Sequence, residues 1–261
     1  MGFLTDVVEG IRRDLRERPP DDAALMARAL AMPPARPFEA ALRAAPPPAL
    51  IAEVKRASPS AGPIDPDADP RELARAYEAA GAAAVSVLTE PRHFQGSLAD
   101  LQAVRSSVTI PVLRKDFHVH PAQLIEARAG GADAVLVIVA AVSDDELAAL
   151  LRAARDLGIG TLVEAHSDAD LDRALATEEP VIGVNARDLE TLEVDVLAAL
   201  DRLRKVPEDR IAVLESAIAG RADVDAAIEA GASAILVGEA LVRAEDPARA
   251  ARKLLWRELR T

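Results

Sequence analysis

The stretch IEARAGGADAVLVIVA (residues 125–140) decides the fold that this sequence predicts. Its first half has a helical composition, its glycines end the helix, and the apolar run that follows is too continuous for a strand with one face in water. The same order recurs in AYEAAGAAAVSVL (76–88), in AAIEAGASAILVG (226–238) and more loosely in AARDLGIGTLVEAH (153–166). This repeat predicts parallel strands that are covered by helices.

Extended along the chain, the pattern predicts eight strands that alternate with helices. They are expected near residues 49–55, 83–88, 110–114, 133–139, 159–164, 180–185, 211–215 and 234–238. Pro70, Ser143 and Ser167 are the expected start signals of three of the helices. Eight such units predict an α/β fold, a (β/α)8 TIM barrel. An open doubly wound sheet is the alternative, but no glycine-rich dinucleotide turn follows the first strand.

The first 45 residues stand outside this repeat. Their start is amphipathic, with Phe3, Leu4, Val7 and Val8 on one helical face, and a proline-rich segment follows. A segment this short cannot hold a core of its own. We therefore expect one (β/α)8 barrel domain over residues 1–261, with residues 1–45 as an N-terminal helical extension packed on it.

Composition limits the partners of the chain. A formal net charge of -12 disfavours non-specific binding of nucleic acid, and no stretch reaches the roughly 20 apolar residues of a membrane span. The absence of cysteine excludes disulfides and thiolate metal sites, and the four histidines are not spaced as a helical metal pair. We expect a cytoplasmic protein that binds no nucleic acid, membrane or metal ion, and that is a monomer or at most a weak homo-oligomer.

Polar side chains stand at the carboxyl ends of most of the predicted strands. In a barrel these ends meet at one mouth, where chemistry takes place. Glu53 and Lys55 end the first strand and share one face, because strand side chains alternate. Burying such charges is costly unless they are paired or functional, so carboxylates, lysines, an amide and a hydroxyl that converge there predict an acid-base site. The strand-end residues are Glu53, Lys55, Lys115, Glu164, Asn185, Glu215 and Ser216.

The segments after the last two strands, VLESAIAG and ILVGEALVR, point to a phosphate site. Barrels often bind phosphate at this position through loop N–H groups and a helix N-terminus. The signal is weak by itself, because many helix starts look alike, and it gains weight beside the strand-end cluster. The expected contacts are Ser216, Ala217, Gly238 and Glu239, mainly through backbone N–H groups.

Seven motifs resemble those of the indole-3-glycerol phosphate synthase family, in the same order. They are LIAEVKRASPSAG, VSVLTEPRHFQGSL, PVLRKDF, TLVEAH, VIGVNARDLETLEVD, LESAI and ILVGEAL. The resemblance implies ring closure, decarboxylation and dehydration of 1-(2-carboxyphenylamino)-1-deoxyribulose 5-phosphate to indole-3-glycerol phosphate, a carboxy-lyase step of tryptophan biosynthesis that needs no cofactor. It also implies a small phosphorylated molecule as the substrate.

The resemblance implies roles for individual residues. Lys115 would be the acid of ring closure, while the dehydration step divides between Glu164 and Lys55 in a way that stays open. Glu53 would hold Lys55 and, with Asn185, fix the substrate hydroxyls. The implied catalytic set is Glu53, Lys55, Lys115, Glu164, Asn185 and Ser216. Arg187 and Ser58 would contact the carboxylate or order a loop, and the apolar slot for the anthranilate ring would comprise Pro59, Phe94, Phe117, Leu136, Ile138 and Leu189.

Two positions depart from the family pattern, Ala217 and Glu90, the latter a minor change from the common Asp, and two rival functions stay in view. Ala217 stands where the family usually has glycine, and its N–H remains usable if its φ stays negative. One rival is another phosphosugar barrel enzyme, such as an isomerase, although that would lack the extension and the pairing of Lys115 with Glu164. The other is a barrel that has lost catalysis and serves as a binding subunit, which the intact strand-end set argues against.

Overall fold

A computed structural model describes residues 2–17, 22–59 and 62–255 of the chain. Eight parallel strands form a closed barrel, in which each strand pairs with the next along the chain and the last pairs with the first. The strands are β1 (Ala49–Val54), β2 (Ala84–Leu88), β3 (Val112–Lys115), β4 (Ala134–Ile138), β5 (Gly160–Ala165), β6 (Val181–Asn185), β7 (Ile211–Glu215) and β8 (Ala234–Val237). The barrel prediction is confirmed, and each strand overlaps the segment that was expected.

Helices cover the outside of the barrel and also precede it. They are α1 (Phe3–Glu17), α2 (Asp22–Ala31), α3 (Phe38–Ala44), α4 (Pro70–Ala79), α5 (Leu98–Ser107), α6 (Pro121–Ala129), α7 (Asp144–Leu157), α8 (Asp168–Leu175), α9 (Val196–Leu203), α10 (Arg221–Glu229), α11 (Glu239–Val242) and α12 (Pro247–Leu255). Ser143 and Ser167 cap α7 and α8 by accepting backbone N–H groups, and Pro70 opens α4, as expected. None of the helices in the described ranges is long and apolar enough to cross a membrane.

The core is aliphatic, because every barrel strand is buried almost along its whole length. Gly81, Gly131 and Gly231 follow α4, α6 and α10 with φ near +95°, namely 97°, 93° and 99°. A left-handed backbone costs glycine little, and it turns each helix into the next strand. The recurring glycine of the sequence repeat is thereby explained.

Helices α1 and α3 pack on the barrel through apolar side chains that belong to the same core. Leu4 and Val7 of α1 are buried there, together with Phe38 and Leu42 of α3. The loop after β1 contains a short hairpin of Ala57–Ser58 with Gly62–Pro63, which the sequence pattern did not predict. Two-residue strands leave no periodicity to read, so this hairpin has no sequence signal of its own.

Candidate active site

A single cavity at the carboxyl ends of the strands collects the side chains that the sequence singled out. Together with the open space at its mouth, the cavity has a volume of about 1000 Å³. Every predicted site residue lines it: Glu53, Lys55, Ser58, Pro59, Phe94, Lys115, Phe117, Leu136, Ile138, Glu164, Asn185, Arg187, Leu189, Ser216, Ala217, Gly238 and Glu239. The ends of β1 and β8, at Val54 and Val237, are far apart in the chain and yet meet around one space.

Lys115 stands at the centre of the charged half of this cavity. It is the last residue of β3, and its Nζ lies 3.5 Å from Oε2 of Glu164 and 3.3 Å from Oε2 of Glu215. Burial alone would lower the pKa of Lys115, but the charges of Glu164, Glu215 and Glu53 outweigh it and raise that pKa above its usual value. Lys115 is therefore an ammonium ion that faces a ligand space.

Two buried carboxyl groups flank Lys115 and differ in charge. Burial would raise the pKa of Glu164, yet Lys115 and then His166 hold that pKa well below its usual range. Burial and the neighbouring charge of Glu164 raise the pKa of Glu215 instead. Two close carboxyl groups do not both ionise readily, so Glu164 ionises first and Glu215 holds its proton to higher pH. A readily ionised carboxylate, a carboxyl group that holds its proton more tightly and an ammonium acid thus share one site.

Glycine makes room for these carboxyl groups at two points. A Cβ on Gly183 of β6 would come within 2.4 Å of Oε1 of Glu215, and a Cβ on Gly238 would come within 2.4 Å of Oε1 of Glu53. Any larger residue at either position would displace the carboxylate beside it. Glycine at these two positions therefore leaves space for the acids at the neighbouring strand ends.

Glu53 and Lys55 form the second charged pair. Their side chains leave the end of β1 on the same face, and Nζ of Lys55 lies 3.1 Å from Oε1 of Glu53. The side chain of Lys55 is 14% exposed and that of Glu53 is 6% exposed, so the pair is nearly buried. The interpretation that strand alternation aims both charges into the barrel mouth agrees with this geometry.

Asn185 and Ser216 are joined by hydrogen bonds at the ends of β6 and β7. The Ser216 hydroxyl donates to Oδ1 of Asn185 over 2.8 Å, and the backbone N–H of Arg187 donates to the same oxygen over 3.0 Å. Because Oδ1 accepts both bonds, the amide N–H groups of Asn185 are oriented for a different acceptor. The guanidinium of Arg187 donates to the Leu192 carbonyl oxygen, which fixes the loop after β6.

The cavity lining also contains apolar side chains, among them three of the four phenylalanines of the chain. The rings of Phe94 and Phe117 are 6.3 Å apart, and that of Phe3 lies 6.2 Å from Phe117. Glu90 holds the loop that carries Phe94, because its carboxylate accepts backbone N–H groups of Arg92, His93 and Phe94. These rings offer apolar faces and edges that an aromatic ring can contact.

The backbone after β7 differs from one expectation. A usable N–H at Ala217 was expected on the condition that its φ stays negative, but φ is 59° there and 65° at Ser216. A left-handed conformation places the Cβ of an L-residue close to a carbonyl oxygen, which costs roughly 1–2 kcal/mol. Ala217 therefore adopts the conformation that glycine would take without strain.

Glu215 and Phe3 also line the cavity, although neither was assigned a role from the sequence. Glu215 was recognised as a strand end, and its place beside Ser216 was the available signal. Phe3 was interpreted as part of a packing face, and only its contacts bring it to the cavity. The backbone N–H groups of Phe3 and Leu4 donate to the carbonyl oxygens of Glu190 and Leu189, which docks the start of α1 on the loop after β6.

Comparison with known proteins identifies relatives over almost the whole chain. Residues 4–254 match the family model described as indole-3-glycerol phosphate synthase. A protein of that name from Rhodococcus opacus (strain B4) is 51% identical over 257 residues, which cover 98% of this chain and 95% of the relative. Another from Nocardioides sp. (strain ATCC BAA-499 / JS614) is 50% identical over 262 residues, with coverage of 97% and 98%.

A solved structure supports the fold independently of close sequence similarity. A chain of the tryptophan synthase complex from Pyrococcus furiosus superposes with a TM-score of 0.61 at 18% identity, covering 80% of this chain and 98% of that chain. At this identity the likeness concerns the barrel architecture alone.

Proposed function

The chain belongs to the indole-3-glycerol phosphate synthase family, and from this premise we propose that it converts 1-(2-carboxyphenylamino)-1-deoxyribulose 5-phosphate to indole-3-glycerol phosphate. The enzyme would be a carboxy-lyase of tryptophan biosynthesis. The observation that carries the proposal is Lys115, an ammonium ion held between two carboxyl groups and facing a cavity whose lining includes apolar side chains, phenylalanines among them. Groups that can donate and accept protons therefore share one cavity with apolar side chains that can hold an aryl ring.

We assign the ring-closure step to Lys115. The aryl carbon attacks the ketose carbonyl carbon, and negative charge develops on the carbonyl oxygen. An ammonium group beside that oxygen stabilises the charge and supplies the proton. The two neighbouring carboxyl groups keep Lys115 in its charged form before the substrate arrives. Carbon dioxide then leaves from the same aryl carbon.

Dehydration requires an acid for the departing hydroxyl and a base for a proton. Glu164 is suited to the base, because its low pKa keeps it ionised, and Lys55 is the candidate acid across the mouth. Glu53 would hold Lys55 through their 3.1 Å contact. Asn185, oriented by Ser216, would bind a substrate hydroxyl together with Glu53. How Glu164 and Lys55 divide the two transfers remains part of the proposal.

The remaining lining residues are assigned to binding. Arg187 and Ser58 would contact the substrate carboxylate, and the ring would lie among Pro59, Phe94, Phe117, Leu136, Ile138 and Leu189. The phosphate would bind at Ser216, Ala217, Gly238 and Glu239. Gly238 precedes the first turn of α11, where N–H groups have no partner within the helix. No step of this scheme requires a cofactor or a metal ion.

We also propose that residues 1–261 act as one barrel domain with residues 1–45 as its extension, and that the protein is a cytoplasmic monomer or weak homo-oligomer. The core shared between α1, α3 and the barrel supports the first statement. The proposed cytoplasmic location rests on the phosphorylated substrate and product, which do not cross membranes unaided. Light scattering of the purified protein would test the oligomeric state.

One assay tests the proposed function. The purified chain is mixed with 1-(2-carboxyphenylamino)-1-deoxyribulose 5-phosphate, and indole fluorescence is followed with time. We expect enzyme-dependent formation of indole-3-glycerol phosphate without any added cofactor. If a folded preparation forms no product even at high enzyme concentration, the proposed function is wrong.

A further inference from the structure

His166 follows Glu164 by two residues at the end of β5, so that both side chains lie on one face of the chain. Nε2 of His166 is 3.2 Å from Oε1 of Glu164. The same spacing joins Glu53 and Lys55 at the end of β1, where the contact measures 3.1 Å. Two strand ends therefore pair a carboxylate with a nitrogen base two residues later.

The two pairs differ in where the base points. Lys55 lines the cavity, whereas His166 is not among its lining residues and lies behind Glu164. The His166 side chain is only 8% exposed, and neither of its ring nitrogens has a well-aligned hydrogen bond within the described chain. Oε1 of Glu164 is a close polar neighbour of Nε2. A buried imidazole is costly without such a partner.

The contact divides the two oxygens of Glu164 between two neighbours. Oε1 faces His166, and Oε2 faces Nζ of Lys115 at 3.5 Å. A carboxylate held on one side by an imidazole cannot rotate without losing that contact. His166 therefore determines which oxygen of Glu164 faces the cavity, in the same way that a second partner orients a metal-ligating side chain.

Other charges near His166 fit this arrangement. Glu164 is the neighbour on its own strand, and Asp188 faces it from the loop after β6. Backbone N–H groups of Thr191 and Glu190 lower the pKa of Asp188, and the charge of His166 adds to that effect. Oδ1 of Asp188 already accepts both N–H groups, so Asp188 is committed to its own loop. Glu164 remains as the carboxylate that His166 can orient.

We propose that His166 is a positioning residue for Glu164: its Nε2–H donates to Oε1 and holds Oε2 toward the reacting atoms. The proposal rests on the proposed function, because it assigns to His166 the orientation of the base in that reaction. We expect the geometry of this contact to tighten when substrate binds, as catalytic hydrogen bonds often do.

Two substitutions distinguish the effect of the His166 N–H group from the effect of the ring. His166→Phe keeps a planar ring but removes the donor, and we expect kcat to fall about 10- to 100-fold with KM nearly unchanged, because the base is misplaced while the substrate contacts remain. His166→Gln places an amide N–H near the position of Nε2, and we expect it to restore kcat to within a few-fold of the parent. A merely structural role of the ring predicts the opposite order.

His120→Asn is the matched control. His120 caps α6 by accepting the Ala122 N–H, lies outside the cavity lining, and asparagine caps helices well. Its kcat and KM should stay within about twofold of the parent. Near-parental kcat in His166→Phe, or a His166→Gln enzyme no better than His166→Phe, would overturn the proposal. If His166→Phe does not fold, the glutamine variant and the following measurement still decide.

Nitrogen NMR of the imidazoles tests the contact without any turnover. The chain contains only four histidines, and His166→Gln assigns the signal of interest. We expect the Nε2 signal of His166 to be of the protonated type and to move in Glu164→Gln, while the His93 and His120 signals stay in place. An unchanged His166 signal would refute the contact. A parent enzyme without activity but with this coupling would refute only the proposed function.

Discussion

Lys115 is the residue on which the charge balance of the cavity depends. Glu164 and Glu215 lie within 3.5 Å and 3.3 Å of its Nζ, and both carboxyl groups are completely buried. Removing the cation leaves two buried acids without a counter-charge, which costs several kcal/mol wherever they are ionised. Lys115 therefore affects both turnover and folding stability, and we expect these two properties to depend on pH in different ways.

Lys115→Met tests both consequences. Turnover should fall at least about 100-fold at every pH, because no group of similar acidity replaces the ammonium. Without Lys115 the pKa of Glu164 rises in the folded state, so stability should decline as pH increases from 5 to 8. Chemical unfolding at both pH values measures this decline. Lys205→Met is the control, since Lys205 pairs with Asp168 in solvent and should change neither property.

Glu215→Gln should stabilise the protein at neutral pH. The raised pKa of Glu215 means that the folded chain holds a proton that the unfolded chain releases, so folding stability is lost as pH rises above the unfolded value. Glutamine cannot ionise in either state. We expect the free energy of unfolding to exceed that of the parent by about 1 kcal/mol at pH 7–8, with no difference near pH 4. A variant that is less stable at pH 8 would contradict the protonated state.

Ala217→Gly should relieve the backbone strain at φ 59°. The relief of roughly 1–2 kcal/mol is partly offset by the flexibility of glycine in the unfolded chain, so Tm should stay equal or rise slightly. KM should stay equal or fall, because the N–H group is retained. Ala176→Gly is the matched control: Ala176 is exposed with φ −70°, and glycine there should cost about 0.5–1 kcal/mol. A clear rise in KM for Ala217→Gly would show that strain is not what limits binding.

At the scale of elements, the start of α1 closes one side of the cavity. The Thr5 hydroxyl donates to Oε1 of Glu190 over 2.6 Å, and the ring of Phe3 lies edge-on to His93 at 5.0 Å. Arg92 and Asp14 form a further ion pair between the loop after β2 and α1. The extension is thus attached to two different active-site loops, and one of its side chains reaches the ligand space.

Phe3→Ala should weaken substrate binding more than catalysis. The ring contributes an aromatic contact worth about 0.5–1.5 kcal/mol, so we expect KM to rise about 3- to 10-fold while kcat changes little. Steady-state kinetics of the purified variant measure both constants. Leu30→Ala removes an apolar side chain of α2 that is 75% exposed, and it should leave KM unchanged. An unaltered KM in Phe3→Ala would limit the role of α1 to packing.

Residue type and periodicity predicted the barrel and its charged strand ends, whereas the apolar slot, Arg187 and Ser58 were predicted from the resemblance to the family. Alternation at β1 placed Glu53 and Lys55 together, and the glycine-punctuated repeat placed Lys115, Glu164 and Asn185 at strand ends. The residues that escaped depend on tertiary contacts. Phe3 reaches the cavity through backbone hydrogen bonds to the loop after β6, and the proton on Glu215 depends on how closely Glu164 approaches. The positive φ of Ala217 has no signature in a side chain.

At the scale of the whole molecule, the two ends of the barrel serve different purposes. Asp133, which precedes β4, is fully buried at the amino end, opposite the cavity. Its Oδ1 accepts the Arg36 N–H over 2.8 Å, its Oδ2 accepts the Val112 N–H over 3.0 Å, and Nε of Arg105 lies 3.2 Å away. One carboxylate thus ties β3, α5 and the proline-rich segment of the extension together. The packing at this end of the barrel should therefore affect folding stability and not catalysis.

Asp133→Ala should therefore destabilise the chain and leave its chemistry intact. Two backbone N–H groups lose a buried acceptor and the guanidinium groups of Arg36 and Arg105 lose a counter-charge, which should cost about 3–5 kcal/mol. Each kcal/mol lowers the Tm of a chain of this size by about 2–4 °C. Well below the lowered Tm, kcat and KM should equal those of the parent, as should those of Asp209→Ala, an exposed control within about 0.5 kcal/mol of parental stability. If Asp133→Ala loses kcat at a temperature where it is fully folded, the two ends of the barrel are coupled, since no contact of Asp133 reaches the cavity directly.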